Sequence, residues 1–136
     1  MPIGPEEFIG IASALQFGRL VPKGEACHRT VAGRAYYSAF LALREEVRKA
    51  LKSPTWDPGH TPFITALKDM PSPTSMVGES LDELFDYRVT ADYDLQGSLD
   101  TRTAGSAINT AEQIVRNAPR IAKSFDLLAL KRLPPK

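Results

Sequence analysis

The stretch EACHRTVAGRAYYSAFLALREEVRKALK, residues 25–52, decides the fold class of this chain. Its large apolar side chains recur at spacings of four, three, four and four residues, the repeat of one helical face: Tyr36, Phe40, Leu43, Val47 and Leu51. A second stripe of small side chains runs beside the first: Ala32, Ala35, Ala39 and Ala42. Small residues let a neighbouring helix backbone approach closely, so we expect one long helix that is buried on two sides.

Proline and glycine turns separate this helix from the others. A first helix is expected from about Pro5 to Leu20, because proline followed by two acidic residues suits a helix start. A short helix is expected between Thr61 and Met70, with the Thr61 hydroxyl as N-cap and Pro62 at the first helical position. These two segments flank the long helix in the sequence.

Two more helical segments follow. Thr74 or Ser75 can cap a helix whose apolar face consists of Val77, Leu81, Leu84 and Phe85. The last long segment carries an apolar stripe of its own: Ala104, Ala107, Ile108, Ala111, Ile114 and Val115. Pro119 should kink or restart this helix, because its ring would clash with the carbonyl four residues earlier.

No run of residues shows the alternation of a half-buried strand, so the sequence predicts an all-α fold. Four or five helices with short loops pack most simply as an antiparallel, up-and-down bundle. With 136 residues, we expect a single domain, residues 1–136, with a core from about residue 5 to 130. The tail, residues 133–136, is expected to be frayed.

The composition excludes several classes of function. The net charge is +1, and no apolar run approaches the ~20 residues of a membrane-spanning helix, so a cytoplasmic location away from membranes is expected. Cys27 is the only cysteine, which excludes an internal disulfide and a cysteine-pair zinc site. His28 and His60 lie far apart, without a second ligand at local spacing, so no metal or cofactor is predicted.

The small net charge hides a division along the chain. Residues 19–52 and 116–136 each carry a net charge of +5, whereas residues 69–100 carry −7. Such a division is typical of a polyanion-binding face, but also of oppositely charged helices lying side by side. Charge alone leaves both interpretations open.

Two segments carry a resemblance when they are taken together. They are Arg29-Thr-Val-Ala-Gly-Arg-Ala-Tyr-Tyr-Ser-Ala-Phe40 and Asp86-Tyr-Arg-Val-Thr-Ala-Asp-Tyr-Asp94. Their order and separation, with Gly59-His60 between them before a short helix, resemble the branch of the HEPN superfamily with an Arg-Ala-Tyr-Tyr-x-Ala-Phe helix and an Arg-x-x-Ala-Asp-Tyr segment. The resemblance implies a helical bundle that dimerises, with the arginine-bearing segments facing one cleft. It also implies a metal-independent endoribonuclease, often a toxin paired with a nucleotidyltransferase-like antitoxin.

The family's catalytic motif is an arginine, a short spacer and a histidine. Arg88 fits the arginine position, but Tyr93 stands where the histidine is expected. An imidazole with a pKa near ~6.5 is largely in its basic form at neutral pH, whereas a phenol with a pKa near ~10 is ionised only about one part in a thousand. Arg88 and Tyr93 are the catalytic candidates by this resemblance, and the residue types favour phosphate contact over catalysis.

Four residues are candidates for binding RNA or a nucleotide: Arg88, Arg34, Tyr37 and Asp92. A structural interpretation competes, since Arg88 and Asp92 share a face of a continuous helix and can pair, with Arg34 as a further partner. Tyr36 is expected in the core, whereas Tyr37 is the better candidate for stacking on a base. The first hypothesis is therefore a HEPN-like dimeric module of a toxin–antitoxin, defence or stress system that binds or cleaves RNA. The alternative is a non-catalytic module that binds a nucleotidyltransferase partner or a small nucleotide.

Overall fold

The computed structural model describes residues 25–93 and 101–136, and within these ranges every regular element is a helix. We number the helices α1 (Glu25–Leu51), α2 (His60–Lys68), α3 (Thr74–Tyr93), α4 (Thr101–Ala122) and α5 (Leu127–Lys131). The all-α bundle predicted from the sequence is confirmed. The helix expected from Pro5 to Leu20 lies outside the described residues.

Helix α1 is the centre of the bundle and packs against both α3 and α4. Its apolar stripe is buried as far as Val47, with Tyr36, Leu43 and Val47 fully inaccessible, while Leu51 is half-buried; the alanine stripe beside it is buried as well. Tyr36, in the first half of α1, contacts Phe85 late in α3, so these two helices run antiparallel. The prediction of a long helix buried on two sides is confirmed.

The α2 helix begins two residues earlier than the sequence indicates, at His60 rather than Pro62. Gly59 is the N-cap, with an extended backbone at φ −66° and ψ 159°, and no side chain caps the helix. The Phe63 N–H donates to the Gly59 carbonyl at 3.2 Å, which places Thr61 and Pro62 inside the first turn. The predicted Thr61 cap is therefore wrong, and His60 becomes the first helical residue.

The predicted cap of α3 is also replaced by a longer-range contact. Thr74 is buried, and its hydroxyl lies 2.7 Å from the Ser124 Oγ, beyond the end of α4. This contact joins the start of α3 to the end of α4, which makes those helices antiparallel neighbours. Pro119 lies inside α4, and the helix continues to Ala122 rather than restarting. Ala118 is buried beside Pro119, so packing supports the turn that lacks the proline N–H.

The tail differs from the frayed segment that the sequence predicts. The Lys136 N–H donates to the Asp57 carbonyl at 2.8 Å, and Pro135 forms an isolated bridge with Pro58. The Trp56 Nε1–H donates to the Leu130 carbonyl at 3.1 Å. These bonds hold the tail against the loop before α2. Lys136 is thereby brought close enough to His60 to influence its protonation.

Candidate functional site

Five side chains from three helices meet beside the end of α3, and we call them the Arg88 cluster: Tyr36, Tyr37, His60, Phe85 and Arg88. The tyrosines come from α1, His60 begins α2, and Phe85 and Arg88 lie one turn apart on α3. Tyr36 is fully buried, whereas the other four side chains are partly accessible. The cluster therefore has a buried base and an accessible rim.

Arg88 lies against both tyrosine rings. Its Cζ is 5.2 Å from the ring centroid of Tyr37 and 5.7 Å from that of Tyr36. At these distances the guanidinium is attracted by the rings, which fix its position while it keeps its charge. The planar fork of a guanidinium matches the oxygens of a phosphate and can contact two of them at once. The geometry thus presents a cation suited to phosphate on an aromatic platform.

His60 is held by one polar contact and by aromatic rings. Its Nδ1 lies 2.7 Å from the Tyr36 hydroxyl oxygen. The imidazole centroid is 4.5 Å from the Phe40 ring and 5.9 Å from the Phe85 ring, nearly parallel to the latter. A side chain bonded at one end and packed on its faces has a fixed orientation. The second ring nitrogen, Nε2, is not the atom that contacts Tyr36.

The surroundings keep both partners of this contact neutral. Burial raises the pKa of Tyr36 far above its ordinary value, against the opposing effect of Arg88, so the phenol stays protonated. Burial also lowers the pKa of His60, and the nearby charges of Arg88, Lys136 and Arg44 lower it further, opposed by Asp57. The imidazole is therefore in its neutral, basic form at pH 7.

The structure brings together two of the residues predicted to bind RNA, Arg88 and Tyr37. Arg34 lies one turn before Tyr37 on α1 and is half-buried, and its Nε has no hydrogen-bond partner among the described residues. Asp92 and Tyr93 belong to the last turn of α3, with Asp92 one turn beyond Arg88. The side chains of Asp92 and Tyr93 lie outside the described residues, so their roles stay predictions.

His60 is not among the candidate site residues predicted from the sequence, although the structure places it beside Tyr36. The family motif places its histidine after the arginine along the chain, whereas His60 precedes Arg88. The one available signal was Gly59-His60 before a short helix, which belongs to the pattern that the two segments resemble. The Gly59-His60 pair does not indicate that His60 contacts the Tyr36 hydroxyl, or that both His60 and Arg88 lie near the Tyr36 ring.

Within residues 25–93 and 101–136, no group of three or more histidine, cysteine, aspartate or glutamate residues could hold a metal ion. No helix of the described chain combines the length and apolar character needed to cross a membrane.

Comparison with known proteins gives one match. A family model described as the HEPN domain matches residues 25–121, well over half of the chain. The matched region covers α1, α2, α3 and nearly all of α4, and so contains the whole Arg88 cluster. Searches of curated proteins and of solved structures found no match.

Proposed function

The chain belongs to the HEPN domain family, and we propose that it is a dimeric RNA-binding module of a toxin–antitoxin, defence or stress system. One observation carries the RNA-binding part of the proposal: the Arg88 guanidinium rests on the rings of Tyr36 and Tyr37 at a partly accessible surface. Arginine contacts to phosphate and aromatic contacts to bases are the two main elements of single-strand recognition. The system to which the module belongs is proposed from the family.

Local charge supports a polyanion at this place even though α3 is acidic overall. The charges that lower the pKa of His60 come from Arg88 on α3, Lys136 in the tail and Arg44 on α1. Three cations from three parts of the chain thus lie near enough to the imidazole of the cluster to lower its pKa. Asp57 offsets part of this charge, because its carboxylate lies 3.2 Å from a terminal nitrogen of Arg44. The remaining positive potential favours a phosphate backbone.

Arg88→Gln should weaken the binding of a labelled single-stranded RNA by roughly tenfold to a hundredfold, because a charge-assisted contact contributes about 1.5–3 kcal/mol. It should also reduce the dependence of log K on log salt by about 0.7. Fluorescence anisotropy measures both, and thermal unfolding is recorded on the same sample. Arg88→Gln melting at the wild-type temperature would show that the loss comes from the contact with RNA.

Arg120→Gln is the matched control for this experiment. It removes one exposed arginine on α4, beside Met76 near the start of α3, about 18 Å along that helix from Arg88. Its RNA affinity should stay within about twofold of the wild type if the contact is local. Equal affinity for Arg88→Gln and wild type would contradict the proposal. A strong loss of stability in Arg88→Gln would instead favour a structural pair with Asp92, worth about 3–5 kcal/mol.

A homodimer is the oligomeric state we propose, from the family and the division of charge along the chain. Sedimentation at micromolar concentration should give about twice the 14.9 kDa of one chain. We place the interface near Arg88, where two copies would face a common cleft. A single 14.9 kDa species across the concentration range would contradict the dimer.

Protein binding is the second candidate function, and an apolar groove favours it. The groove lies between α3 and α4, has a volume of about 690 Å³ and is lined by Met76, Val77 and Ile121 with Arg120 and Lys123 at its edge. Met76, one of the residues that line the groove, is 61% exposed. A nucleotidyltransferase-like antitoxin is the partner that the family favours for such a surface.

A further inference from the structure

We propose that the groove between α3 and α4 binds an amphipathic helix of a partner protein, and that this helix carries acidic residues in its first turn. The inference rests on protein binding, the second candidate function, and adds to it the chemistry of the partner. The residues of α3 that line the groove lie in the first half of that helix, whereas Arg88 lies near its end. The groove is therefore a different surface from the Arg88 cluster.

The groove is long enough for a helix of several turns. Its cavity of about 690 Å³ continues into a second cavity of about 340 Å³, and both are lined by Met76, Val77, Arg120 and Ile121. Along α4 the lining extends from Asn109 to Ile121, which is about 18 Å or three helical turns. Because α3 and α4 are antiparallel and both pack on α1, a docked helix would have a helix on either side. Amphipathic helices bind grooves of this kind through their apolar face.

The floor of the groove is apolar and its wall is uncharged. Val77 and Ile121 are half-buried and Met76 is 61% exposed, so docked apolar side chains would remove their surface from water. The α4 wall presents three side-chain amides at intervals of one turn: Asn109, Gln113 and Asn117. Amides donate and accept hydrogen bonds, so they can bind polar side chains at the edge of a partner helix. The partner therefore needs an apolar stripe about three turns long.

The charge at one end of the groove favours an acidic partner. Arg120 and Lys123 are exposed at that end, and neither forms an ion pair with another described residue. Acidic residues stabilise the first turn of a helix, because the helix dipole is positive there. A partner helix that begins beside Arg120 and Lys123 would run parallel to α3 and antiparallel to α4.

The acidic residues of α3 leave this charge available. Glu79, Asp82 and Asp86 all raise the pKa of Lys68, so they lie on the face of α3 that is turned towards α2. Glu83 accepts a hydrogen bond from the hydroxyl group of a tyrosine one turn later on α3. None of these four acidic residues lines the groove. Complementary charge for Arg120 and Lys123 would therefore come from the partner.

Two synthetic peptides of about 16 residues test the proposal on the full chain. Both carry leucines on one helical face; the acidic peptide has glutamates in its first turn, and the basic peptide has lysines at the same positions. Fluorescence anisotropy at low salt should show about tenfold or more tighter binding of the acidic peptide, because like charges facing one another oppose binding. The double variant Arg120→Glu/Lys123→Glu should reverse this preference, which separates the charge contact from the helicity of the peptides.

Met76→Asp tests the apolar floor, and Leu128→Asp is its matched control. Met76 is 61% and Leu128 67% exposed, so both variants should melt near the wild-type temperature. Leu128 lies on α5, outside the groove. Met76→Asp should weaken binding of the acidic peptide by about tenfold or more, whereas Leu128→Asp should stay within about twofold of the wild type. Equal affinity of Met76→Asp and wild type would contradict binding in the groove.

A photo-cross-linking residue, p-benzoylphenylalanine, in place of Met76 identifies what occupies the groove. Irradiation with the acidic peptide should attach the peptide to the protein, and mass spectrometry locates the cross-link. A cross-link to a second copy of the chain, or to residues 1–24 of the same chain, would overturn the proposal. The groove would then be covered by the protein itself and closed to a partner.

The outcomes separate this inference from the functions proposed above. A preference for the basic peptide would overturn the acidic partner and leave protein binding standing, whereas binding of neither peptide would overturn both. RNA affinity is measured on the same Met76→Asp sample and should match the wild type, because the substitution is remote from Arg88. A loss of RNA affinity in Met76→Asp would make the groove a nucleic-acid surface and overturn the proposal. Wild-type protein that binds the acidic peptide but no RNA would overturn only the RNA-binding function.

Discussion

Gly78→Ala should lower the free energy of unfolding by about 1–3 kcal/mol, although alanine ordinarily strengthens a helix interior by ~1 kcal/mol relative to glycine. Gly78 lies in α3 where the end of α2 crosses it. A Cβ at this position would lie 2.7 Å from the Lys68 backbone nitrogen and 3.0 Å from the Leu67 carbonyl carbon. Backbone atoms cannot swing aside as the end of a side chain can, so α2 and α3 must separate. Urea unfolding measures the loss.

Gly105→Ala is the matched control for Gly78→Ala. Gly105 also lies inside a long helix, α4, but a Cβ there meets no atom of the described residues within 4 Å. The same substitution should therefore stabilise the protein by about 0.5–1 kcal/mol through the unfolded chain and helix propensity. If both substitutions stabilise the protein equally, the close approach of α2 to α3 is contradicted.

The sequence predicts a helix and its buried face most reliably where the spacing of apolar residues within one segment is sufficient. The α1 stripe repeats over four turns, and its alanine partners mark the second buried side, so burial of Tyr36, Leu43 and Ala39 followed from local pattern alone. The same holds for the apolar stripe of α4. Helix existence depends on periodicity along one segment, which is information that the sequence contains.

Features that depend on contacts between distant segments could not be predicted in this way. The Thr61-Pro62 pair resembles a helix start, yet Gly59 takes the N-cap. Thr74 forms its hydrogen bond with Ser124 rather than with its own helix. The tail is held because the Lys136 backbone N–H donates to the backbone carbonyl of Asp57, which lies far earlier in the chain. In each case a tertiary partner, invisible to local patterns, decides the outcome.

In the candidate site too, some residues could be predicted from local sequence patterns and others could not. Arg88 was identified because it belongs to a local motif, and Tyr37 because it lies beside the apolar stripe of α1. The position of His60 in the cluster could not be predicted, because it depends on contacts with other helices. Tyr36 of α1 contacts its Nδ1, and Arg88 of α3 lowers its pKa. Two of the cations near His60 come from Arg44 and Lys136, which no motif connects. The site is a product of the packing of α1, α2 and α3.

The packing of the helices explains part of the division of charge along the chain. The acidic helix α3 lies beside the basic helix α1, and Lys68 of α2 reaches Asp82 of α3 at 2.9 Å. Oppositely charged segments are therefore neighbours in the bundle. Near His60 of the Arg88 cluster, however, cations from α1, α3 and the tail together lower the pKa of the imidazole. Opposite charges therefore lie side by side where α1 packs against α3. The cations near the Arg88 cluster could contact a polyanion.

Tyr36→Ala should produce the largest loss of stability among these substitutions, about 3–5 kcal/mol, as for truncation of a large buried aromatic side chain. Tyr36 is fully buried, and its ring contacts those of Phe40 and Phe85. Truncation would leave a cavity at the meeting point of α1, α2 and α3 and would remove the platform beneath Arg88. Thermal and urea unfolding measure the loss, and RNA affinity should fall together with it.

Tyr36→Phe separates the ring from its hydroxyl. The phenylalanine ring keeps the packing and the surface on which Arg88 lies, so stability should fall by only about 1 kcal/mol, the contribution of one hydrogen bond. RNA affinity should remain near the wild-type value, since Arg88 keeps its support. If Tyr36→Phe destabilises the protein as much as Tyr36→Ala, the hydroxyl, and not the packing of the ring, holds the three helices together at this point.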